Sequence, residues 1–207
     1  LNNIIYGNNL CGLKLRQQSN PNIIGNEIRS NGESGIKTKW NCNALISDNS
    51  ILNNPSGIYN RDLCSTVIIR NLFNGNGSGI VLEDSSPIIA NNTIVNSGGN
   101  GIAVWHGSYP EIENNIFYSN QIGISADGAP VTLSFNNFHN NSSANLLGGG
   151  LPDEIGIIST ENSNGDPSDQ YSNIFLNPEY VDVENFVLSS NSPCIDAGNP
   201  ESILDPD

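Results

Sequence analysis

The sequence predicts an all-β fold, a parallel β-helix solenoid closed by a C-terminal cap. Three observations predict it. A Gly-aliphatic dipeptide recurs at a fixed interval. An Asn-x-Ile/Phe triplet recurs in phase with it. Between them lie short alternating apolar stretches, broken by Gly, Asn and Ser, as in 75–95, GNGSGIVLEDSSPIIANNTIV.

The dipeptide stands at Gly12-Leu13, Gly35-Ile36, Gly57-Ile58, Gly79-Ile80, Gly101-Ile102 and Gly123-Ile124, at intervals of 23, 22, 22, 22 and 22 residues. The triplet stands at Asn26/Ile28, Asn49/Ile51, Asn71/Phe73, Asn92/Ile94, Asn115/Phe117 and Asn136/Phe138. Two registers held together over this many copies mark a solenoid. The Leu-x-x-Leu-x-Leu frame of leucine-rich repeats is absent, and helical repeats are longer and poorer in Gly, Asn and β-branched residues. Each repeat offers three short strands, as in Ile80-x-Leu82, Pro87-Ile88-Ile89 and Thr93-Ile94-Val95. Three strands per turn with Gly, Asn and Ser corners describe one β-helix coil. Asn suits such corners because it tolerates left-handed φ/ψ and its amide can bond from coil to coil. About seven coils are expected, six of them making a column of roughly 30 Å at about 4.8 Å per coil.

Coils are expected over 1–147. A loop excursion follows over 148–172, and 173–207 supplies the last coil, resuming at Asn173-Ile174-Phe175, and the cap. The stretch LNNIIYGNN starts in mid-coil without a visible cap, so upstream sequence or another chain's end is expected to cover it.

Composition narrows the function. The net charge is −14, with 7 Lys+Arg against 21 Asp+Glu, which disfavours nucleic acid and anionic membranes as partners. No apolar run approaches the roughly 20 residues of a membrane span. Of the cysteines Cys11, Cys42, Cys64 and Cys194, none forms a Cys-x-x-Cys pair, and only two His are present, which argues against zinc.

The repeat resembles the right-handed parallel β-helix proteins of the pectate-lyase-like superfamily. More narrowly, it resembles secreted bacterial repeat proteins with units such as NNTIVNSGGNGIAV, and NPEYVDVENFVLSSNSPCIDAGNP (177–200) resembles their closing segment. The resemblance implies a right-handed coil, an extracellular location, and a substrate groove on the sheet face that follows the Gly-aliphatic dipeptide.

Residues of equal phase stack in columns. The residue after each Gly points inward, so the second and fourth after it point out. The second-position column reads Lys14, Lys37, Tyr59, Val81, Ala103 and Ser125; the fourth reads Arg16, Lys39, Arg61, Glu83, Trp105 and Asp127. Five of the seven basic residues therefore share one face of the first three coils. Stacked like charges repel, so folding alone does not account for them, although an exposed face must also be polar. Cations facing uronate or sulfate groups, with Tyr59 and Trp105 to stack on sugar rings, fit a polysaccharide, above all an acidic one.

The fifth-position column reads Gln17, Trp40, Asp62, Asp84, His106 and Gly128. Asp62 and Asp84 are candidate catalytic carboxylates, as the acid and nucleophile of a glycoside hydrolase. Alternatively they hold Ca²⁺ beside Lys39 or Arg61 in a polysaccharide lyase. Against this, Asp also recurs at strand-to-turn corners for local hydrogen bonding. The loop ENSNGDPSD (161–169) alternates oxygen ligands without EF-hand spacing. In the seventh-position column, Ser19, Cys42, Cys64, Ser86 and Ser108, the two Cys are coil neighbours, which permits either a disulfide or stacked thiols. Two functions are thus expected to compete. One is polysaccharide recognition, with or without cleavage, along Lys14 to Asp127. The other is a non-catalytic structural, adhesive or filament-forming module assembling end to end.

Overall fold

The computed structural model describes residues 1–105 and 107–202. Among these residues there is no helix, so none is long and apolar enough to cross a membrane. Three parallel sheets form the faces of a column. The first runs from Ile4–Tyr6 to Asn137–His139 and the second from Leu13–Arg16 to Ala144–Leu147, with seven strands each. The third runs from Asn22–Ile24 to Thr132–Ser134 with six. The chain visits them in that order, making six complete turns and two strands of a seventh.

Inward columns from all three sheets fill the axis, and the second sheet supplies a further one through Leu82, Val104 and Ala126. Ile36, Ile58, Ile80, Ile102 and Ile124 are fully buried in the second sheet, paired in register. Ile28, Ile51, Phe73, Ile94, Phe117 and Phe138 do the same in the first. Ile23, Ile46, Ile68, Ile89, Ile112 and Leu133 complete the third side. Each such side chain contributes about 1.5–3 kcal/mol on burial. The Gly before each second-sheet Ile has a steric cause. A Cβ on Gly79 would lie 2.5 Å from the Gly101 carbonyl oxygen, and each Gly of the series meets the next coil's backbone in the same way. The series ends where Asn145 stands in place of Gly, at the last strand of that sheet.

Asparagine carries the coil-to-coil bonding. The Asn71 side-chain oxygen accepts from Asn49 N–H (3.0 Å) and Asn49 Nδ2 (2.9 Å), while Asn71 Nδ2 donates to Asn92 Oδ1 (3.0 Å) and to the carbonyls of Ile46 and Ile69. This unit repeats without a break through Asn3, Asn26, Asn49, Asn71, Asn92, Asn115, Asn136 and Asn173. The two properties that suit Asn to these corners are used at different positions. Positive φ is taken by the preceding residue, which is Gly25, Asp48, Arg70, Asn91, Asn114 or Phe135, while the following Asn turns inward and bonds. The seventh-position column also shifts: Ser85 is buried and Ser86 exposed, so Ser85 stands between Cys64 and Ser108.

A second ladder runs along the corner after the first sheet, through Asn8, Asn31, Asn54 and Asn76, then Asn120 and Asn141. Ser97 interrupts it. Its N–H donates to Asn120 Oδ1 (3.0 Å), but its buried hydroxyl has no partner.

The later residues cover the last coil. Leu151, Ile155 and Phe175 pack against the core, and Phe175 stacks on Phe138 at 5.7 Å. The chain beyond lies along the outside of the first sheet. Tyr180 meets Tyr118 edge-on at 5.5 Å, and Asn199 N–H and the Ser202 hydroxyl donate to Asn114 and Glu113.

The ladders predict opposite effects of two substitutions. Asn71→Ala leaves the buried Asn49 N–H without a partner and removes the bonds to Asn92 Oδ1 and to the Ile46 and Ile69 carbonyls, and is expected to cost about 3 kcal/mol. Ser97→Asn supplies the missing rung and is expected to add about 1 kcal/mol. Urea unfolding of both variants checks this; a Ser97→Asn protein weaker than the parent would contradict the ladder's role.

Candidate functional site

The outward side of the second sheet carries the basic residues on three successive strands. Lys14, Lys37 and Tyr59 are in-register neighbours, as are Arg16 and Lys39, and Arg61 lies opposite Glu83. Val81, Ala103 and Ser125 continue the Tyr59 row. Trp105 and Asp127 sit at the ends of the later strands, where their N–H groups donate to the carbonyls of Leu82 and Val104. His106, the remaining expected member, lies outside the described residues.

Two clusters organise this face. Tyr59 donates its hydroxyl to Glu83, whose other oxygen lies 3.5 Å from Arg61; Arg61 also binds Asp62 at 3.1 Å. Lys37 and Arg61 lie over the Tyr59 ring, 5.0 and 5.7 Å from its centre, and Trp105 meets the ring edge-on at 6.5 Å. Lys37 is also held by Glu33 at 3.4 Å. Burial, and then the bond to Glu83, push the Tyr59 phenol up to about 12.

The second cluster is more open. Lys39 Nζ lies 3.7 Å and the Arg16 guanidinium 5.5 Å from the Trp40 ring centre. Among the described residues, neither forms an ion pair with a carboxylate, and nor does Lys14. Partial desolvation, then repulsion by Arg16 and Lys14, hold the Lys39 ammonium below its ordinary range. The like-charge crowding expected from the sequence is therefore relieved at Lys37 and Arg61 by acids, and persists around Lys39.

Asp62 and Asp84 stand at the corner beside this face. Gln17-Gln18, Trp40-Asn41 and Asp62-Leu63 each have positive φ at both residues, between 57° and 65°, and Asp84 has φ 48°. The corner backbones bond in sequence, Asn41 N–H to Asp62 O and Leu63 N–H to Asp84 O. The Asp84 carboxylate lies over Gly107, where any Cβ would meet Asp84 Oδ1 at 1.8 Å. Both acids thus shape the turn, and both line a shallow open hollow with Trp40, Asn41 and Leu63.

Sequence reasoning passed over Trp40 and Leu63. They are 41% and 69% exposed, and both are bulky residues in the left-handed region, which is unfavourable for them. Their signal in the sequence is an apolar pair of positions in a corner otherwise made of Gln, Asn and Asp. Also unanticipated is a buried polar cluster beneath the face. The Thr38 hydroxyl donates to Asn60, and Asn60 donates to Thr66 at 2.9 Å, at phases where later coils place Leu82 and Val104.

Among the described residues, no group of three or more His, Cys, Asp and Glu side chains converges to hold a metal ion. In the acidic loop, Thr160–Glu161 pairs with Pro167–Ser168 as a hairpin. There Asn162 Oδ1 accepts from Asn164 and Asp166 N–H, so this oxygen closes the turn.

A sequence model of the family described as right handed beta helix region matches residues 1–117 and 85–168. No curated protein and no solved structure matches the chain. The match spans the stretch in which the three sheets, the inward Ile columns and the Asn ladder were found, and the chain belongs to the right-handed β-helix family.

Proposed function

We propose that the outward face of the second sheet, with the Trp40 corner, binds an acidic polysaccharide. The observation that carries this reading is the concentration of Lys14, Arg16, Lys37, Lys39 and Arg61 on three adjacent coils of a chain whose net charge is −14. Lys37 and Arg61 are oriented by carboxylates and frame Tyr59. Lys14, Arg16 and Lys39 have no carboxylate partner among the described residues, and they repel one another. An anion bridging them relieves that repulsion. Trp40 and Trp105, each more than two-fifths exposed, offer ring surface for sugars. The resemblance to the pectate-lyase-like superfamily supports the same face and an extracellular setting. Where the bound glycan is also cleaved, Asp62 and Asp84 are the carboxylates at the edge of this surface, and the reading of binding does not depend on them.

Polygalacturonate titrated into the protein at low ionic strength tests the proposal. The combined substitution Lys14→Gln, Arg16→Gln, Lys39→Gln is expected to weaken binding by more than about tenfold, or about 1.4 kcal/mol. The melting temperature should change little, because these cations make no ion pairs among the described residues. Added salt should weaken the wild-type interaction. Equal affinity of variant and parent, or no binding by the parent to polygalacturonate, alginate or a sulfated glycan, would overturn the reading. Because the anion raises the depressed Lys39 pKa, binding just below the ordinary 10.5 should take up protons and weaken as pH rises.

The Tyr59 cluster gives a second, independent expectation. A phenol whose pKa is raised on folding stabilises the fold fully below the ordinary value near 10, and this contribution is lost as pH rises through about 12. Tyr59→Phe should flatten the fall in stability over that window, measured by urea unfolding at successive alkaline pH values. An unchanged slope would show that folding does not raise the Tyr59 pKa.

A further inference from the structure

We propose that Cys42 and Cys64 form a disulfide site that fastens two adjacent coils at the corner beside the basic face. Both residues are fully buried free thiols at the same phase of successive turns. Cys42 N–H donates to Cys64 Sγ at 3.2 Å, so the second sulfur lies against the first residue's backbone. Paired strands lie about 4.8 Å apart, which falls inside the roughly 4.4–6.8 Å between Cα atoms that a disulfide spans.

The packing of this corner does not itself require sulfur. At the same phase Ser19 donates its hydroxyl to the Arg16 carbonyl, as the Cys42 thiol donates to the Lys39 carbonyl at 3.1 Å. On the other side, the Ser108 hydroxyl accepts from Ser85 N–H as Cys64 Sγ accepts from Cys42 N–H. A hydroxyl therefore performs both local tasks, once above and once below the pair. What two neighbouring cysteines add is the ability to join. Cys11 and Cys194 stand apart from them, beside Glu33 and Asn137 respectively.

The reaction balances with a small-molecule disulfide as oxidant. One cysteine thiolate attacks it, forming a mixed disulfide and releasing one thiol. The second cysteine displaces the remaining thiol, so both cysteines lose their hydrogens and the oxidant becomes two thiols. Burial raises the Cys64 thiol pKa and shields both sulfurs, so exchange requires opening of the corner or occurs during folding. The linkage would hold Trp40-Asn41 to Asp62-Leu63, the two turns lining the hollow. None of this depends on what the face binds.

The test uses the full chain carrying Cys11→Ser and Cys194→Ser, refolded in an oxidised and reduced glutathione mixture. The expected result is a peptide linking Cys42 to Cys64, with the mass loss of two hydrogens. The linked protein should melt more than about 3 °C above its dithiothreitol-reduced form. Cys42→Ser and Cys64→Ser variants should fold, as Ser19 and Ser108 indicate, and should show no such redox-dependent shift. Recovery of both thiols free after refolding, or a linked form that melts at or below the reduced one, would overturn the proposal.

Discussion

The buried asparagine ladder is the interaction on which the rest of the structure depends. A β-helix must satisfy the backbone at every corner where a coil leaves one sheet for the next, and these corners turn into the interior. In the first ladder one primary amide does this work per coil. It accepts from the previous coil's backbone and side chain and donates to the next. An unpaired buried donor costs about 1–3 kcal/mol, so a slip of one residue would be penalised at every rung. Hydrophobic burial drives the column together, but Ile and Phe at the axis are nearly interchangeable; the amides fix which residue lies above which.

The ladder tolerates changes of coil length that would otherwise shift the faces. Its rungs are 23, 22, 21, 23 and 21 residues apart from Asn26 to Asn136, and the next rung, Asn173, follows after 37. Differences are absorbed elsewhere, as where Ser85 takes the inward place expected of Ser86, or in the whole excursion between Leu147 and Asn173. The second sheet therefore stays in register from Leu13 to Leu146, and its outward rows stay straight. Straight rows are what bring Lys14, Lys37 and Tyr59, or Arg16 and Lys39, side by side. The local Gly series contributes by letting successive backbones approach where a Cβ would not fit.

The period, the three strands per coil, the inward place of the residue after each Gly and the shared face of the five cations were legible in the sequence because each is a property of phase alone. What phase cannot report is how neighbours share a bond. The pairing of Lys37 with Glu33, and of Arg61 with Asp62 and Glu83, depends on rotamers and on residues at other phases, so the stripe looked uniformly repulsive. The left-handed positions include asparagines such as Asn53, Asn91, Asn96, Asn114 and Asn140, but not the rung asparagines themselves. Asn, Asp, Arg and Phe all occupy the position before each rung, and no single residue type marks it. Trp40 and Leu63 were overlooked for a related reason: a bulky apolar residue in a left-handed turn is atypical, and only the folded corner shows that it is exposed. The excursion over 148–172 carries no repeat from which its packing of Leu151 and Ile155 on the core could be read.

The proposed binding face is thus a consequence of register: charges placed by phase, crowded by stacking and only partly neutralised by local acids. Hydrogen exchange of the ladder backbone amides tests the register claim most directly. The N–H groups of Asn49, Asn71, Asn92 and Asn115 should exchange together and only through global unfolding, at a common free energy equal to that from urea unfolding. Exchange of these amides one by one, at rates like those of the exposed corners, would show that the ladder does not hold the coils in place.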